Sequence, residues 1–297
     1  MLPDLTPVTD VMSWVVIGIF LAGAVADWRS RDAARGITTV AWVLFGVFWF
    51  LMIPFFVFDH RSVVQAVLAA VAVPACGYVA YRLGTGRDSL LILSRAVGLM
   101  GLIYLPFSVI SVFHDISIEL VAVQTHAGLQ LLGSTPAFET DNAGLRNTFA
   151  FTLDSGQTYA TRIVFACTGI GSMAIFGGLI AAVRAPIQRR VVALVVAIST
   201  IWVLNIVRNV FIAYATGHQL FAHDSLIDPV MWLFGLDESI RVSFFVADRI
   251  LSQGLAVVAL LAIAWLVVKL LPELSVIVED LAHLLTGEEY DLESSSQ

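Results

Sequence analysis

The sequence predicts an all-α fold: a polytopic bundle of about seven transmembrane helices, with a small extracellular helix and hairpin between spans four and five. Two observations predict this class. Hydrophobic residues make up 59% of the 297 positions, and charged residues only 13%. A soluble domain has about twice that share of charge, and could not cover its surface with so little. The apolar residues also form uninterrupted blocks of about 20, the length of a membrane-crossing helix.

We predict a span at each of these apolar blocks. They cover residues 11–27, 37–58, 63–82, 90–112, 163–183, 191–214 and 242–268. The first block lacks a basic leader, so we interpret it as a retained span and not as a cleavable signal.

The arginines predict the orientation, because basic connections are retained on the cytoplasmic side of a membrane. They fall in alternate connections between spans: Arg29, Arg31 and Arg35, then Arg82 and Arg87, then Arg184, Arg189 and Arg190. Lys269 follows the last span. We therefore expect a multi-pass cell-membrane protein with its N-terminus outside and its C-terminal tail in the cytoplasm.

The spans divide the chain into four predicted parts. They are an N-terminal four-span half (1–112), an extracellular interfacial segment (113–162), a C-terminal three-span half (163–271) and an acidic cytoplasmic tail (272–297). The tail holds seven acidic residues and no basic one, so it accounts for the net charge of −7.

Both long outside connections carry elements of their own. Apolar residues recur in the first at helical spacing and predict a helix in the interface: Ile116, Leu120, Val123, Leu129 and Leu132. Two alternating runs, 149–153 and 158–161, flank a turn that contains glycine, which predicts a hairpin. Residues 215–241 form the second connection, which includes His218, His223, Pro229 and Trp232, and we expect it to cap the outer end of the bundle.

Three side chains indicate chemistry at one depth in the last three spans. Charged side chains inside a span are costly and usually mark function. At 1.5 Å per residue, Arg208 and Arg249 lie roughly 9–11 Å below the outer boundary, and Cys167 roughly 6 Å below it. Cys76 lies roughly 20 Å below the same boundary, too far from Cys167 for a disulfide.

A thiol and two guanidiniums at one depth predict nucleophilic catalysis. The thiolate is the reactive form of cysteine, and a fixed arginine beside it favours that form. A second arginine can donate to the oxyanion that forms when the thiolate attacks a carbonyl. Both effects strengthen where water is scarce. We therefore interpret Cys167 as the nucleophile, with Arg208 and Arg249 as stabilisers of the thiolate and the oxyanion. Gly169 and Gly171 allow a substrate backbone to approach the fifth span closely.

Other interpretations of the same residues stay open. A lone cysteine inside a span is more often a small packing residue. An arginine can be paired structurally, and Asp248 adjoins Arg249, although adjacent residues on a helix point apart. A transporter or channel could use the arginines to bind an anion. An intramembrane serine protease could use Ser172, but every histidine lies outside the predicted spans, which argues against a Ser–His pair.

At these positions the sequence resembles the exosortase/archaeosortase family. The resemblance lies in the order Ala166-Cys-Thr-Gly, then Asn205-x-x-Arg-Asn, then a third polar residue in the last span. The C-terminal half carries it, and the front half is compatible. Bacterial exosortases resemble this pattern but have a histidine at the third position. Arg249 points instead to the archaeal branch, and its presence leaves the general base unassigned.

The resemblance implies a cysteine-dependent transpeptidase or protease that acts near the outer leaflet. Its substrates would be exported proteins, such as S-layer glycoproteins, that end in a Pro-Gly-Phe type motif, one transmembrane helix and a basic end. Cys167 would form a thioester near the motif, and a membrane lipid with an amine-bearing head group would resolve it. Thr168, Asn205 and Asn209 would support the site. We expect no cofactor, no metal ion and no nucleic-acid partner.

Overall fold

The computed structural model describes residues 6–59, 63–152 and 156–275, together with residues 277 and 279. Helices dominate this part of the chain, and one small sheet accompanies them. The helices are α1 Thr6–Ala26, α2 Arg31–Pro54, α3 Val63–Gly84, α4 Leu90–Val109, α5 Ser111–Leu131, α6 Ile170–Ala182, α7 Ile187–Gly217, α8 Asp224–Phe234 and α9 Ser239–Leu270. The strands are β1 Ala137–Thr140, β2 Arg146–Thr152 and β3 Thr158–Arg162. The all-α fold class is confirmed.

Within the described ranges, six helices are long and apolar enough to cross a membrane: α1, α2, α3, α4, α7 and α9. They match the first four and the last two predicted spans, so the multi-pass character is confirmed. The predicted span 163–183 contains only the 13-residue helix α6. A helix of that length extends about 20 Å, against about 30 Å of hydrocarbon in a bilayer. A membrane crossing by the predicted span 163–183, and with it a total of seven spans, therefore remains a prediction.

The short α6 has a local cause at its N-terminal end. Phe165–Cys167 form a single 3₁₀ turn, and Gly169 then takes a φ of +79°. A left-handed residue cannot continue a right-handed helix, and glycine adopts this conformation without a steric penalty. The chain therefore starts a new helix at Ile170 in place of extending one helix through the whole apolar block.

One compact unit is formed by the described residues that fall within 1–103, 174–195 and 265–297. Its core brings together the apolar sides of α1, α2 and α3, where the rings of Phe20 and Trp42 meet edge to face at 5.2 Å. Cys76 is buried here, and a Cβ built on Gly46 would lie 3.2 Å from the Cys76 Cβ. This close packing gives Cys76 the role of a small core residue.

Buried polar contacts fix the register of α4 in the same unit. The Trp42 indole donates to the Ser94 hydroxyl at 2.9 Å. The Arg95 guanidinium binds the Asp27 carboxylate at 2.6 Å, and both side chains are largely buried. Buried charges are tolerated only when they are paired in this way.

The second compact unit comprises residues Tyr104–Met173 and Val196–Ala264. Its core joins α5 to the sheet and to α7: Ile118, Val121, Leu129, Phe149, Phe151 and Ala213. Cys167 packs against this cluster. A Cβ on Gly128 of α5 would lie 2.5 Å from a methyl group of Val210, so these two helices approach closely because residue 128 has no side chain.

The sheet of this unit has the strand order β1-β2-β3 and is antiparallel throughout. The predicted hairpin is confirmed as β2 and β3, with Phe149 opposite Thr161. The first strand, β1, is an addition that the sequence did not indicate: Phe138 pairs with Phe149, and a bulge follows Glu139.

Helices also form where both long connections were predicted to carry structure. In α5, Ile116, Leu120 and Val123 form an exposed apolar face, while Leu129 is buried in the core. In the connection 215–241, α8 packs Val230 into a cluster with Phe245 of α9. Whether these elements lie at the outer membrane interface remains a prediction, as does the predicted division of the chain into four parts.

Candidate active site

Cys167 ends the 3₁₀ turn that follows β3, and local hydrogen bonds hold it there. The Ile163 amide donates to the Asn147 carbonyl at 2.9 Å, which ties the chain beyond β3 back to the sheet. The Cys167 amide donates to Val164 at 2.8 Å. The Thr168 hydroxyl donates to the Phe165 carbonyl at 2.7 Å and accepts from the Ile170 amide at 3.4 Å. Thr168, which is buried, therefore links the turn to the start of α6.

Two asparagines of α7 fix the backbone of Cys167. The side-chain amides of Asn205 and Asn209 both donate to the Cys167 carbonyl oxygen, each at 2.8 Å. Residues four apart face the same side of a helix, and a carbonyl oxygen has two lone pairs, so one oxygen can accept both bonds. Each such bond contributes about 1 kcal/mol. Because these amide N–H groups are directed at the Cys167 backbone, the two asparagines position the cysteine.

Two features favour glycine at position 169, beside the clamp that Asn205 and Asn209 form on the Cys167 carbonyl. Its φ of +79° favours glycine, and a Cβ at this position would lie 3.1 Å from the Asn205 Cγ. A larger residue would push Asn205 away from the Cys167 carbonyl. Gly171 differs, because a Cβ there would meet only the Tyr104 ring, at 4.0 Å. The expected close approach of a substrate to these glycines remains a prediction.

The two predicted arginines meet at one carboxylate. Arg208 Nη2 of α7 donates to Asp248 Oδ1 at 2.7 Å, and Arg249 Nε lies 3.4 Å from Asp248 Oδ2. Asp248 is only 8% exposed. The Cys167 thiol is half-buried and lies within electrostatic range of Arg208, Asp248 and Arg249. The structure thus brings Cys167 and both arginines together in the second compact unit.

Asp248 is the site residue whose role the sequence did not predict. The sequence pointed to it only as the neighbour of Arg249, and neighbours on an α-helix point apart. In the structure, Phe245–Ser252 form a π-helical segment within α9. The wider π turn reduces the angle between successive side chains, and such segments often occur at functional sites. The available signal was a third charged residue inside the last predicted span, next to Arg249.

Two of the histidines, His218 and His114, contact polar and aromatic neighbours. His218 Nε2 is 3.0 Å from the Ser134 hydroxyl, and its ring lies 4.3 Å from that of Tyr214. His223 is the residue that precedes α8. His114 contacts the Asp115 carboxylate at 2.9 Å and stacks on Phe165 at a centroid distance of 5.0 Å.

Known proteins resemble this chain over most of its length. The family model for the transmembrane exosortase matches residues 8–235, a stretch that contains Cys167 and Arg208 and ends before Asp248. Archaeosortase A of Natronomonas pharaonis is 52% identical over 285 residues, which cover 94% of this chain and 90% of that protein. Archaeosortase A of Haloferax volcanii is 44% identical over 294 residues, which cover 96% of each chain. No solved structure matches. The chain belongs to the transmembrane exosortase family.

Proposed function

We propose that this protein is a membrane-embedded cysteine transpeptidase that cleaves a C-terminal sorting signal from exported proteins and transfers them to a membrane lipid. A protein-sorting transpeptidase role in the membrane follows from the family and from relatives called archaeosortase A. The observation that carries the finer proposal is the meeting of Arg208 and Arg249 at Asp248, within electrostatic range of Cys167. An anion transporter needs the arginines but has no use for a clamped cysteine.

In the first step, the Cys167 thiolate attacks the carbonyl carbon of the scissile peptide bond. A carbon–sulfur bond forms, the carbon–nitrogen bond breaks, and the thiol proton ends on the leaving amine. The negative charge that develops on the carbonyl oxygen requires donors that are already in place. Arg208 and Arg249 supply such donors, since a guanidinium keeps its proton and presents several N–H groups in a rigid fork.

In the second step, the amine of a lipid head group attacks the thioester. A carbon–nitrogen bond forms, the carbon–sulfur bond breaks, and one proton of the amine returns to the sulfur. The product is the client protein in amide linkage to the lipid. We propose an amine in preference to water because we expect the site near the outer leaflet, where lipid head groups are close. A lipid that arrives laterally acts at high effective concentration.

The test of this proposal compares the two cysteines in cells that lack the chromosomal copy. Cys167→Ala should abolish client cleavage, because no other group can form the thioester. Cys76→Ala is the matched control: Cys76 packs in the other compact unit, and we expect cleavage at the wild-type rate. Immunoblots of an S-layer client would report cleavage. Wild-type processing by the Cys167→Ala variant would overturn the enzyme assignment.

Mass spectrometry of the client C-terminus then identifies the product. We expect a lipid-linked amide that appears only with an intact Cys167, and the client should enter the detergent phase after cleavage. A client that is cut at the motif but ends in a free carboxylate would make this protein a protease and not a transferase.

A further inference from the structure

The carboxylate that joins the two arginines suggests a role beyond stability. We infer that Asp248 is a positioning residue of the site, whose carboxylate holds Arg208 and Arg249 in the orientation in which they act on Cys167 and on the reacting carbonyl. This inference rests on the proposed transpeptidase function. Its first support is the geometry: one nearly buried carboxylate contacts a guanidinium from each of two helices, at 2.7 and 3.4 Å.

Two guanidiniums need such a partner in order to share a site. Like charges repel, and the repulsion grows as the surroundings become less polar. Long cationic side chains inside a membrane also tend to extend towards water. A carboxylate between them removes the repulsion. The charges of Arg208, Arg249 and Asp248 then sum to one net positive charge, which remains available to a thiolate or an oxyanion.

The contact with Asp248 does not occupy all the N–H donors of an arginine. A guanidinium carries five N–H donors arranged in a fork. Arg208 can therefore bind Asp248 through Nη2 while other N–H groups of the same plane point towards the sulfur or the substrate. A lysine in its place would offer a single ammonium on a flexible stem, so the shared carboxylate would orient it far less well.

The same face of α7 connects Asp248 to the nucleophile. Arg208 and Asn209 lie three and four residues after Asn205, so the three side chains project from one side of the helix. The asparagines hold the Cys167 backbone, and Arg208 holds Asp248. The position of the sulfur and the position of the charge are thereby set by one rigid element. A shift of about 1 Å between such groups can cost about 10²-fold in rate.

Asp248→Asn is the variant that tests this role, because it keeps the shape of the side chain and removes its charge. We expect client cleavage to slow by about 10²-fold, as for a misplaced catalytic group. In the purified protein, alkylation of Cys167 by iodoacetamide at a fixed pH should become slower, since the arginines are no longer held where they favour the thiolate. If Asp248 acted only on stability, the folded fraction of the variant would keep the wild-type rates of client cleavage and of Cys167 alkylation.

Asp27→Asn is the matched control. The pair of Asp27 and Arg95 is about as buried as that of Asp248 and Arg208, but it lies in the other compact unit. We expect this variant to lower the melting temperature and to leave Cys167 alkylation at the wild-type rate. Asp248→Glu retains the charge and therefore the ion pairs, but it displaces the carboxylate by one methylene. It should slow cleavage by about tenfold even if the asparagine variant does not fold.

The outcomes separate the two proposals. Loss of cleavage in Cys167→Ala, together with wild-type cleavage in Asp248→Asn, would overturn the positioning role alone. Faster alkylation in folded Asp248→Asn would also overturn it, because the carboxylate would then act on the thiol only as an opposing charge. Continued cleavage in Cys167→Ala would overturn the proposed function itself.

Discussion

At the scale of single residues, the site depends on a few polar side chains that a membrane helix would normally exclude. A polar group inside an apolar block is conspicuous, which is why the sequence drew attention to Cys167, Arg208 and Arg249; their catalytic roles stay predictions. The sequence did not predict that Asp248 joins the arginines. The pairing of Arg208 with Asp248 links positions 40 residues apart in the sequence, and helical periodicity does not indicate the π-helical segment in which Asp248 lies.

The two arginines should differ in their effect on the thiol. Arg208 lies on the same helix as the two asparagines that hold the Cys167 backbone, whereas Arg249 lies on α9. We therefore expect Arg208→Ala to slow iodoacetamide alkylation of Cys167, and Arg249→Ala to slow it less. Alkylation rates of the purified variants between pH 6 and 10 would measure this, at conditions spanning the usual thiol range.

Lysine variants separate charge from shape at the same positions. Lysine keeps the positive charge but loses the planar fork. At the arginine that binds the substrate carbonyl, the lysine variant should therefore lose client cleavage. The same variant should keep the wild-type rate of Cys167 alkylation. If alkylation is unchanged in both alanine variants, thiolate activation by these arginines is wrong.

At the scale of elements, periodicity predicted most of the structure and failed where a single residue interrupts it. The alternating runs predicted β2 and β3 because their large apolar residues recur every second position. The strand β1 has only Phe138 as a large apolar residue, so the pattern gave no signal there. The apolar block 163–183 has the composition of a full span. Composition does not reveal that Gly169 takes a left-handed conformation, so that the helix starts only at Ile170.

Gly169→Ala should therefore damage the site through the backbone. The left-handed conformation costs a residue with a Cβ about 1–2 kcal/mol, and the added methyl group would press on Asn205. We expect a lower melting temperature and slower client cleavage. Gly171→Ala provides the comparison, since it lies in α6 with more room around it and alanine favours a helix by about 1 kcal/mol. A Gly169→Ala variant as stable as wild type would show that the clamp does not need this turn.

At the scale of the whole molecule, the open question is whether the segment around Cys167 crosses the membrane. Six helices have the length and composition of spans, and α6 does not. With seven crossings, segment 113–162 and the C-terminal tail lie on opposite sides. With six, they lie on the same side. The basic residues Arg184, Arg189 and Arg190 directly after α6 favour seven, because basic connections stay in the cytoplasm.

Cysteine labelling in intact cells decides between these counts. Asn142 lies in an exposed turn between β1 and β2, which makes Asn142→Cys a better reporter than a substitution at the buried Ser134. In a background that carries both Cys76→Ala and Cys167→Ala, we expect a membrane-impermeant maleimide to label Asn142→Cys from outside and to label Ser295→Cys only after lysis. A re-entrant α6 would place both sites outside, and both would label in intact cells. In that case Cys167 would lie at the tip of a loop that enters and leaves the same leaflet. The loop, and not a membrane-crossing helix, would then bring Cys167 to the lipid head groups.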